Sequence, residues 1–357
     1  MSTGPPNHSS CRAASFTAVA RLRLACAIQV VAALLAGCAA PGPTPPPSPP
    51  PTAADTPSPA IVRPSSRLAI LAGNPRDGGL VLVDDSGVVR TVPLPVASTT
   101  WISSDRAGRL VATSADGQLF LSDPVANPGE IGWREVVPGW ADARPADPLS
   151  FATISPDGRT IAALAADFAA GTDFDLVLVD LETGAAAAIR VNAWPDGAAP
   201  AWLPDGRLFL VARDPARDLT GLVLVDPERP GAALRFEREA YGIALSADGQ
   251  AAAIDRADGR VAAGATRLLL GDGAAGGGDD PSRPDDPPGL LVSAPPGTAP
   301  GSFALDPSGT RLAIAWLDEA GGPATVGRYR LGADGPVAET PVAVAGGATR
   351  VVPAWLP

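Results

Sequence analysis

A short polar turn recurs along this chain and constrains its fold more than any other feature. Its clearest copy reads SPDGR at 155–159, and further copies follow at 203–207, 246–250 and 306–310, with a stretched version at 104–109. Proline fixes φ at the turn entry, aspartate bonds nearby backbone, and glycine accepts the positive φ required before the next strand. Each copy therefore predicts a tight hairpin connection between two strands.

The spacing of the turns predicts the architecture. Successive turn glycines are 50, 48, 43 and 60 residues apart, at positions 108, 158, 206, 249 and 309. Each unit holds an apolar strand, the Asp-Gly turn, a second strand, a polar loop, a third strand ending in Asp and a fourth strand. This is the period of a four-stranded propeller blade, so the chain is predicted to be all-β.

The first unit lacks one strand, and the C-terminus supplies it. Three strands are predicted near 67–72, 80–84 and 88–94, whereas the final PAWLP at 353–357 repeats the PAWLP that opens another unit at 200–204. Pairing the last strand with the first three would complete a blade and close the ring, so that neither end of the circle offers an unpaired edge. The prediction is a closed six-bladed β-propeller over residues 63–357.

The repeats resemble those of TolB-type six-bladed propellers, which carry a Ser-Pro-Asp-Gly-Arg turn in WD-like repeats. The likeness covers most of the chain from about Arg63 onward, although only residues 155–159 match the consensus fully. The N-terminal domain of TolB itself has no counterpart here. Propellers host ligand binding, partner docking and several chemistries, so the resemblance implies a fold and not a specific activity.

The N-terminus predicts export and lipidation. Three arginines precede an acid-free apolar run at 24–36, which is short for a bilayer span but suits a signal-peptide core. The run ends in LAGC at 35–38, which resembles the bacterial lipobox, in which the Cys38 thiol receives diacylglycerol before cleavage. The alternative is an ordinary signal peptide or an anchor helix with a coincidental cysteine.

The segment after Cys38 predicts a tether. Residues 39–60 are rich in proline and alanine and favour an extended polyproline conformation. The predicted organisation is a signal peptide at 1–37, a lipidated cysteine with a disordered stalk at 38–62, and the propeller. Such a protein would be held on the outer side of the bacterial cytoplasmic membrane, or in an outer membrane where the cell has one.

Composition narrows the possible chemistry. The formal net charge is −11 and every basic residue is arginine, which argues against a nucleic-acid partner. Cleavage before Cys38 would leave a chain without histidine, lysine or free thiol, which excludes Ser-His-Asp and Cys-His systems, Schiff bases and imidazole or thiolate metal sites. The sequence therefore predicts a protein that is not an enzyme, with no catalytic residue, no metal and no cofactor.

Two groups of carboxylate side chains leave calcium binding open as a weaker possibility. The acidic pairs Asp84-Asp85 and Asp173-Phe174-Asp175 are the segments most similar to a calcium-binding pattern. Hydrogen bonding within turns and contact with solvent are sufficient explanations for both pairs. The insertion at 271–289 is acidic and glycine-rich, and it is interpreted as a flexible loop with a calcium-ordered clasp as the alternative.

A binding function should use the propeller face on which the between-blade connections meet the loops joining second to third strands. Large aromatic side chains and arginine dominate interface energetics, and this chain has only seven Trp and two Tyr. The candidate binding residues are Trp140, Arg144, Trp194, Arg213, Arg217, Tyr241 and Arg350. For Trp140 and Trp194 the alternative is that each fills space beneath its loop.

The leading functional hypothesis is a non-enzymatic module that binds a protein, peptide or cell-envelope ligand. A second is a carbohydrate-active enzyme with two carboxylates in the central channel, about 5–10 Å apart. A third is a small-ligand sensor that uses the same channel. The sequence leaves the ligand and the oligomeric state open.

Overall fold

The structure of the chain is a computed structural model that describes most of the predicted propeller. The chain divides into two units, Met1–Ala60 and Ile61–Pro357, and every described residue belongs to the second. Cys38, the signal peptide, the stalk, Arg144, Arg217 and the loop at 271–289 lie outside the described residues. Within the described part, no helix is long and apolar enough to span a bilayer. The described residues are 67–73, 79–125, 131–140, 145–168, 172–214, 219–229, 235–256, 259–266, 290–332, 335–344, 348 and 350–356.

The strands, numbered in chain order, form six separate sheets, which we number as blades 1 to 6. Blade 1 consists of β1 (Arg67–Gly73), β2 (Gly79–Val83), β3 (Val89–Val92) and β27 (Arg350–Leu356). Blade 2 consists of β4 (Thr99–Ser104), β5 (Leu110–Ser114), β6 (Leu119–Ser122) and β7 (Trp133–Val136). Blade 3 consists of β8 (Gly139–Trp140), β9 (Leu149–Ile154), β10 (Thr160–Ala165), β11 (Phe174–Asp180) and β12 (Ala185–Val191).

The other three blades are built in the same way. Blade 4 consists of β13 (Trp194–Pro195), β14 (Ala201–Trp202), β15 (Leu208–Asp214), β16 (Leu219–Val225) and β17 (Arg235–Glu239). Blade 5 consists of β18 (Gly242–Leu245), β19 (Ala251–Asp255), β20 (Arg260–Ala265) and β21 (Leu290–Ser293). Blade 6 consists of β22 (Thr298–Leu305), β23 (Arg311–Asp318), β24 (Thr325–Gly332), β25 (Gly335–Ala338) and β26 (Val342–Ala343).

The predicted ring closure is confirmed. The sheet of blade 1 runs β27-β1-β2-β3, with Leu68 opposite Trp355 in an antiparallel register. The first strands of the blades contact one another in ring order, namely β27, β4, β9, β14, β18, β22 and again β27. The protein is therefore a six-bladed all-β propeller whose innermost strands surround a central channel.

The core is divided into six hydrophobic clusters, one at each junction between neighbouring blades. Because every blade is apolar on both faces, each packs against two neighbours, as expected for a radial repeat. Trp316, Trp355, Phe174 and Phe209 are the bulkiest fully buried side chains. Trp101 and Trp202, which occupy the repeated first-strand position of Trp355, are only half-buried and lie at cluster edges.

The two faces of the ring have different connections. We call the face that carries the Asp-Gly turns between first and second strands the turn face, and the opposite face, with the between-blade connections, the connection face. All five turn glycines have positive φ, from 68° at Gly249 to 86° at Gly206. Ser155 Oγ donates to Asp157 Oδ1 at 2.6 Å, and that oxygen also accepts the Arg159 N–H at 3.1 Å. The turns are thus satisfied by their own side chains, as the sequence predicts.

Candidate functional site

Two of the predicted binding residues meet on the connection face. Trp194 of β13 lies directly opposite Arg213 of β15 in the antiparallel register. The Arg213 guanidinium carbon lies 5.9 Å from the centroid of the Trp194 ring, which is within the range of a cation–π contact. Trp194 is half-buried and Arg213 is exposed, so the pair presents an aromatic face and a cation to solvent.

Asp196 adds an acid beside this pair. It follows β13 in the connection that leads to β14, and it is exposed to solvent. The protein packed around the carboxyl removes part of its hydration, which raises the pKa of Asp196, while the nearby positive charge of Arg213 opposes the shift. The sequence gives no indication of this environment, because the desolvation of the Asp196 carboxyl depends on the fold.

A strained aromatic residue adjoins the same loop. Phe151 in β9 has φ of 54°, and it is the one non-glycine residue with positive φ in the described part of the chain. Its ring lies 5.0 Å from the Trp101 ring and 5.4 Å from the Phe168 ring. A Cβ atom built on Gly197 would lie 3.9 Å from Phe151 Cζ, so the Trp194–Asp196 loop passes close to this stack.

The strain belongs to a shared irregularity of the innermost strands. The ladder register shifts near Phe151 in blade 3, between Thr99 and Trp101 in blade 2, and between Pro300 and Phe303 in blade 6. In blade 4 the residues between β13 and β14 form a wider interruption of the same kind. All four irregularities lie in the half of the channel toward the connection face. Bulges often accompany binding sites, because they redirect side chains and free backbone groups.

Arg350 uses one of these bulges. Its Nη1 donates to the carbonyl oxygen of Thr100 at 3.1 Å, where Thr100 is the extra residue of the β4 bulge. This bond links blade 1 to blade 2 beside Trp101. The rest of the Arg350 side chain is exposed. A second arginine is thereby held on the same face as Arg213.

Other predicted residues lie elsewhere. Trp140 of β8 pairs in parallel with the first residues of β12 and packs against the cluster between blades 2 and 3, on the outer edge of blade 3. The chain after β7 runs along this open edge because β12 offers it unpaired backbone groups. Tyr241 is exposed on the connection face of blade 5, and the neighbouring Gly242 lies against the Phe303 ring.

We call the group of connected residues the connection-face cluster. It combines an aromatic stack, two arginines and one partly desolvated carboxylate on a face that departs from the repeat in four blades. Exposed aromatic side chains with arginine favour macromolecular recognition, because they bury large areas and form directional hydrogen bonds. The members are Trp101, Phe151, Phe168, Trp194, Asp196, Arg213 and Arg350.

The acidic pairs have structural partners. Asp84 Oδ1 accepts hydrogen bonds from Ser86 and Val88, and Asp85 lies 2.5 Å from Arg311 Nη1. Asp175 lies 3.4 Å from Arg190. Among the residues that the structure describes, no group of three or more His, Cys, Asp or Glu is arranged to hold a metal ion.

A cavity lies at the opposite end of the channel. It encloses about 170 Å³, and residues from the innermost strands of all six blades line it toward the turn face. Asp105 is the one carboxylate among the described lining residues, and it is bound by Arg109 Nε at 2.6 Å. The two channel-facing acids required by the carbohydrate-active hypothesis are therefore not both present in this lining.

Comparisons with known proteins concern the fold. No protein-family model and no curated protein matches the chain. Among solved structures, TolB from Acinetobacter baumannii is 17% identical with a TM-score of 0.53, covering 82% of this chain and 67% of TolB. A TolB-type protein of Agrobacterium tumefaciens is 16% identical with a TM-score of 0.50, covering 80% of this chain and 92% of that protein. The chain therefore has the six-bladed propeller fold seen in TolB-type proteins.

Proposed function

We propose that this chain is a lipid-anchored, extracytoplasmic propeller that binds a protein or peptide partner of the cell envelope and catalyses no reaction. The connection-face cluster is the observation that carries this proposal. Its strained Phe151 and its exposed Phe168 are costly for a purely structural surface. A rigid ring that holds such residues in place limits the entropy lost on binding.

The composition of the cluster favours a partner with both apolar and charged groups. Trp194, Phe168 and Phe151 offer area for apolar side chains, whereas the positive charges of Arg213 and Arg350 attract carboxylates. Asp196 can accept from a basic or amide group of the partner. An amphipathic peptide segment or protein loop presents these groups together, and the partner class is proposed on that basis.

The anchor is proposed from the sequence. The LAGC at 35–38 and the proline-rich segment after it would attach the ring to a membrane and separate it from the lipid surface. A Cys38→Ser variant tests this step by itself. We expect the wild type to incorporate labelled palmitate and to remain in the membrane fraction, and the variant to do neither. Equal labelling of the two proteins would contradict the proposed anchor.

Crosslinking in native membranes tests the binding face. We expect the wild-type protein to capture a defined partner, and the Trp194→Ala/Arg213→Ala double variant to lose that adduct. The matched control is Trp133→Ala/Arg134→Ala, which removes the same residue types from the outer strand β7. Melting midpoints of both variants show whether the ring is intact. Unchanged capture by a folded Trp194/Arg213 variant would remove this face as the binding surface.

A further inference from the structure

The cavity toward the turn face has a side-chain chemistry different from that of the connection-face cluster. Its wall includes the half-buried Trp101 and Trp202, together with Phe303 and Leu245. Its enclosed volume, about 170 Å³, lies below the usual size range of small-molecule clefts, so the cavity suits only a compact ligand. The apolar part of the wall fits a ligand with a flat or branched hydrocarbon body.

The hydroxyl groups of this wall are already used within the ring. Ser103 Oγ donates to the Ala152 carbonyl at 3.0 Å, and Ser104 Oγ donates to the Trp355 carbonyl. Ser155 and Ser246 donate to the aspartates of their own turns at 2.6 and 2.7 Å. These bonds also occupy two of the carbonyl oxygens on the inner strand edges. Few of the lining acceptors therefore remain for a ligand that donates hydrogen bonds.

Several donors of the wall have no acceptor. The indole nitrogens of Trp101 and Trp202 and the hydroxyl of Thr153 are buried without a hydrogen-bond partner among the described residues. These three side chains belong to the consecutive blades 2, 3 and 4. An indole N–H can only donate, and a buried donor left unpaired is destabilising.

Arg106 supplies a cation at the mouth of the cavity. It is exposed, and it makes no hydrogen bond or ion pair within the described part of the chain. Backbone and side-chain hydrogen bonds from Gln250 and Ser246 lower the pKa of Asp248, and the charge of Arg106 contributes from across the ring. Arg106 is thus a charged residue of the cavity lining, whereas the neighbouring Asp105 is occupied by Arg109 and by two backbone N–H groups.

From these observations we infer that the turn-face cavity is a binding site for a small organic carboxylate with an apolar or aromatic body. Arg106 binds the carboxylate, the rings of Trp101 and Trp202 contact the body, and the unpaired donors donate hydrogen bonds to an acceptor substituent of the ligand. This site opens at the other end of the channel and shares Trp101 with the connection-face cluster, but it does not depend on the proposed protein-binding function.

Phenylacetate and its neutral counterpart phenylacetamide test the inference with the full propeller. At a concentration tenfold above Kd, we expect phenylacetate to raise the melting midpoint by about 2–4 °C. Phenylacetamide should bind at least about tenfold more weakly, because it lacks the charge-assisted hydrogen bonds to Arg106. Equal binding of the two compounds, or no saturable binding of phenylacetate up to about 10 mM, would overturn the assignment.

Two variants locate the site. Arg106→Gln should raise the Kd of phenylacetate by about tenfold or more, whereas Arg134→Gln, an exposed arginine on the outer strand of the same blade, should leave it unchanged. Trp202→Phe retains the ring and removes the unpaired N–H. It should abolish the additional affinity of 4-hydroxyphenylacetate over phenylacetate, because phenylacetate has no acceptor beyond its carboxylate. Equal effects of Arg106→Gln and Arg134→Gln would show nonspecific charge attraction and would contradict the inference.

Discussion

Asp157 on the turn face and Asp196 on the connection face show how differently the two ends of this ring use one residue type. Asp157 accepts hydrogen bonds from Ser155 and Arg159 within its own turn, which lower the pKa of its carboxyl. The Asp196 carboxyl loses hydration to the surrounding protein, and its pKa is raised. The turn face repeats one satisfied arrangement, whereas the connection face departs from the repeat. In a repeat protein, such departures indicate where to look for a binding function.

Both faces depend on a ring that is closed by strand β27. Disrupting this closure should lower the free energy of unfolding more than the other changes described below. Trp355 is 2% exposed, and its Nε1 donates to the Ala304 carbonyl at 3.2 Å across the junction of blades 1 and 6. Trp355→Ala should lower the free energy of unfolding by about 3–5 kcal/mol. Trp133→Ala, on an outer strand, should lower the free energy of unfolding by less than Trp355→Ala does. Equal midpoints of the two variants in chemical denaturation would contradict a stabilising role for the closure.

A smaller change in the free energy of unfolding should distinguish the strained strand β9 on the connection face from a regular strand. Phe151→Gly and Phe151→Ala delete nearly the same side chain, but φ of 54° favours glycine. Phe151→Gly should therefore be more stable than Phe151→Ala by about 1 kcal/mol. Ala188→Gly serves as the control of opposite sign, because Ala188 is exposed in the regularly paired strand β12, where a glycine is destabilising. If Phe151→Ala were the more stable variant, the backbone at this position would carry no strain.

The smallest effect is a difference in pH dependence. The lowered pKa of Asp157 stabilises the fold above the unfolded-state value near 3.8, and this contribution is lost as the pH falls through the lower folded-state pKa. The raised pKa of Asp196 acts in the opposite sense, since folding is favoured as the pH falls from its folded-state pKa toward 3.8. Asp157→Asn and Asp196→Asn should therefore change the slope of stability against pH in opposite directions. Slopes that change in the same direction would refute this difference between the faces.

The sequence predicted the architecture because the spacing and the turn residues of the repeat correspond directly to four-stranded blades. Positive φ at Gly158 and Gly249, the turn hydrogen bonds and the pairing of Leu68 with Trp355 all follow from local turn chemistry and from one missing strand. The turn features are encoded in contiguous residues and recur several times, and the closure follows from the repeated PAWLP segment at the C-terminus.

The site was only partly predictable. Trp194 and Arg213 were identified from residue type and repeat phase, and the structure brings them together. The bulge at Phe151 has no sequence signal, because a phenylalanine occupies a conformation that usually requires glycine. The position of Trp140 depends on pairing with the distant β12, and the role of Arg106 depends on a cavity built by six separate strands. Such nonlocal packing is not visible in a single repeat.

Site-specific photocrosslinking tests the central claim, that the connection face binds the partner, most directly. A photoreactive amino acid replaces Phe168 on the connection face or Asp205 on the turn face, both of which are exposed. In native membranes, we expect a discrete protein adduct from position 168 and none from position 205. An adduct from position 205 alone, or equal adducts from both positions, would contradict the account.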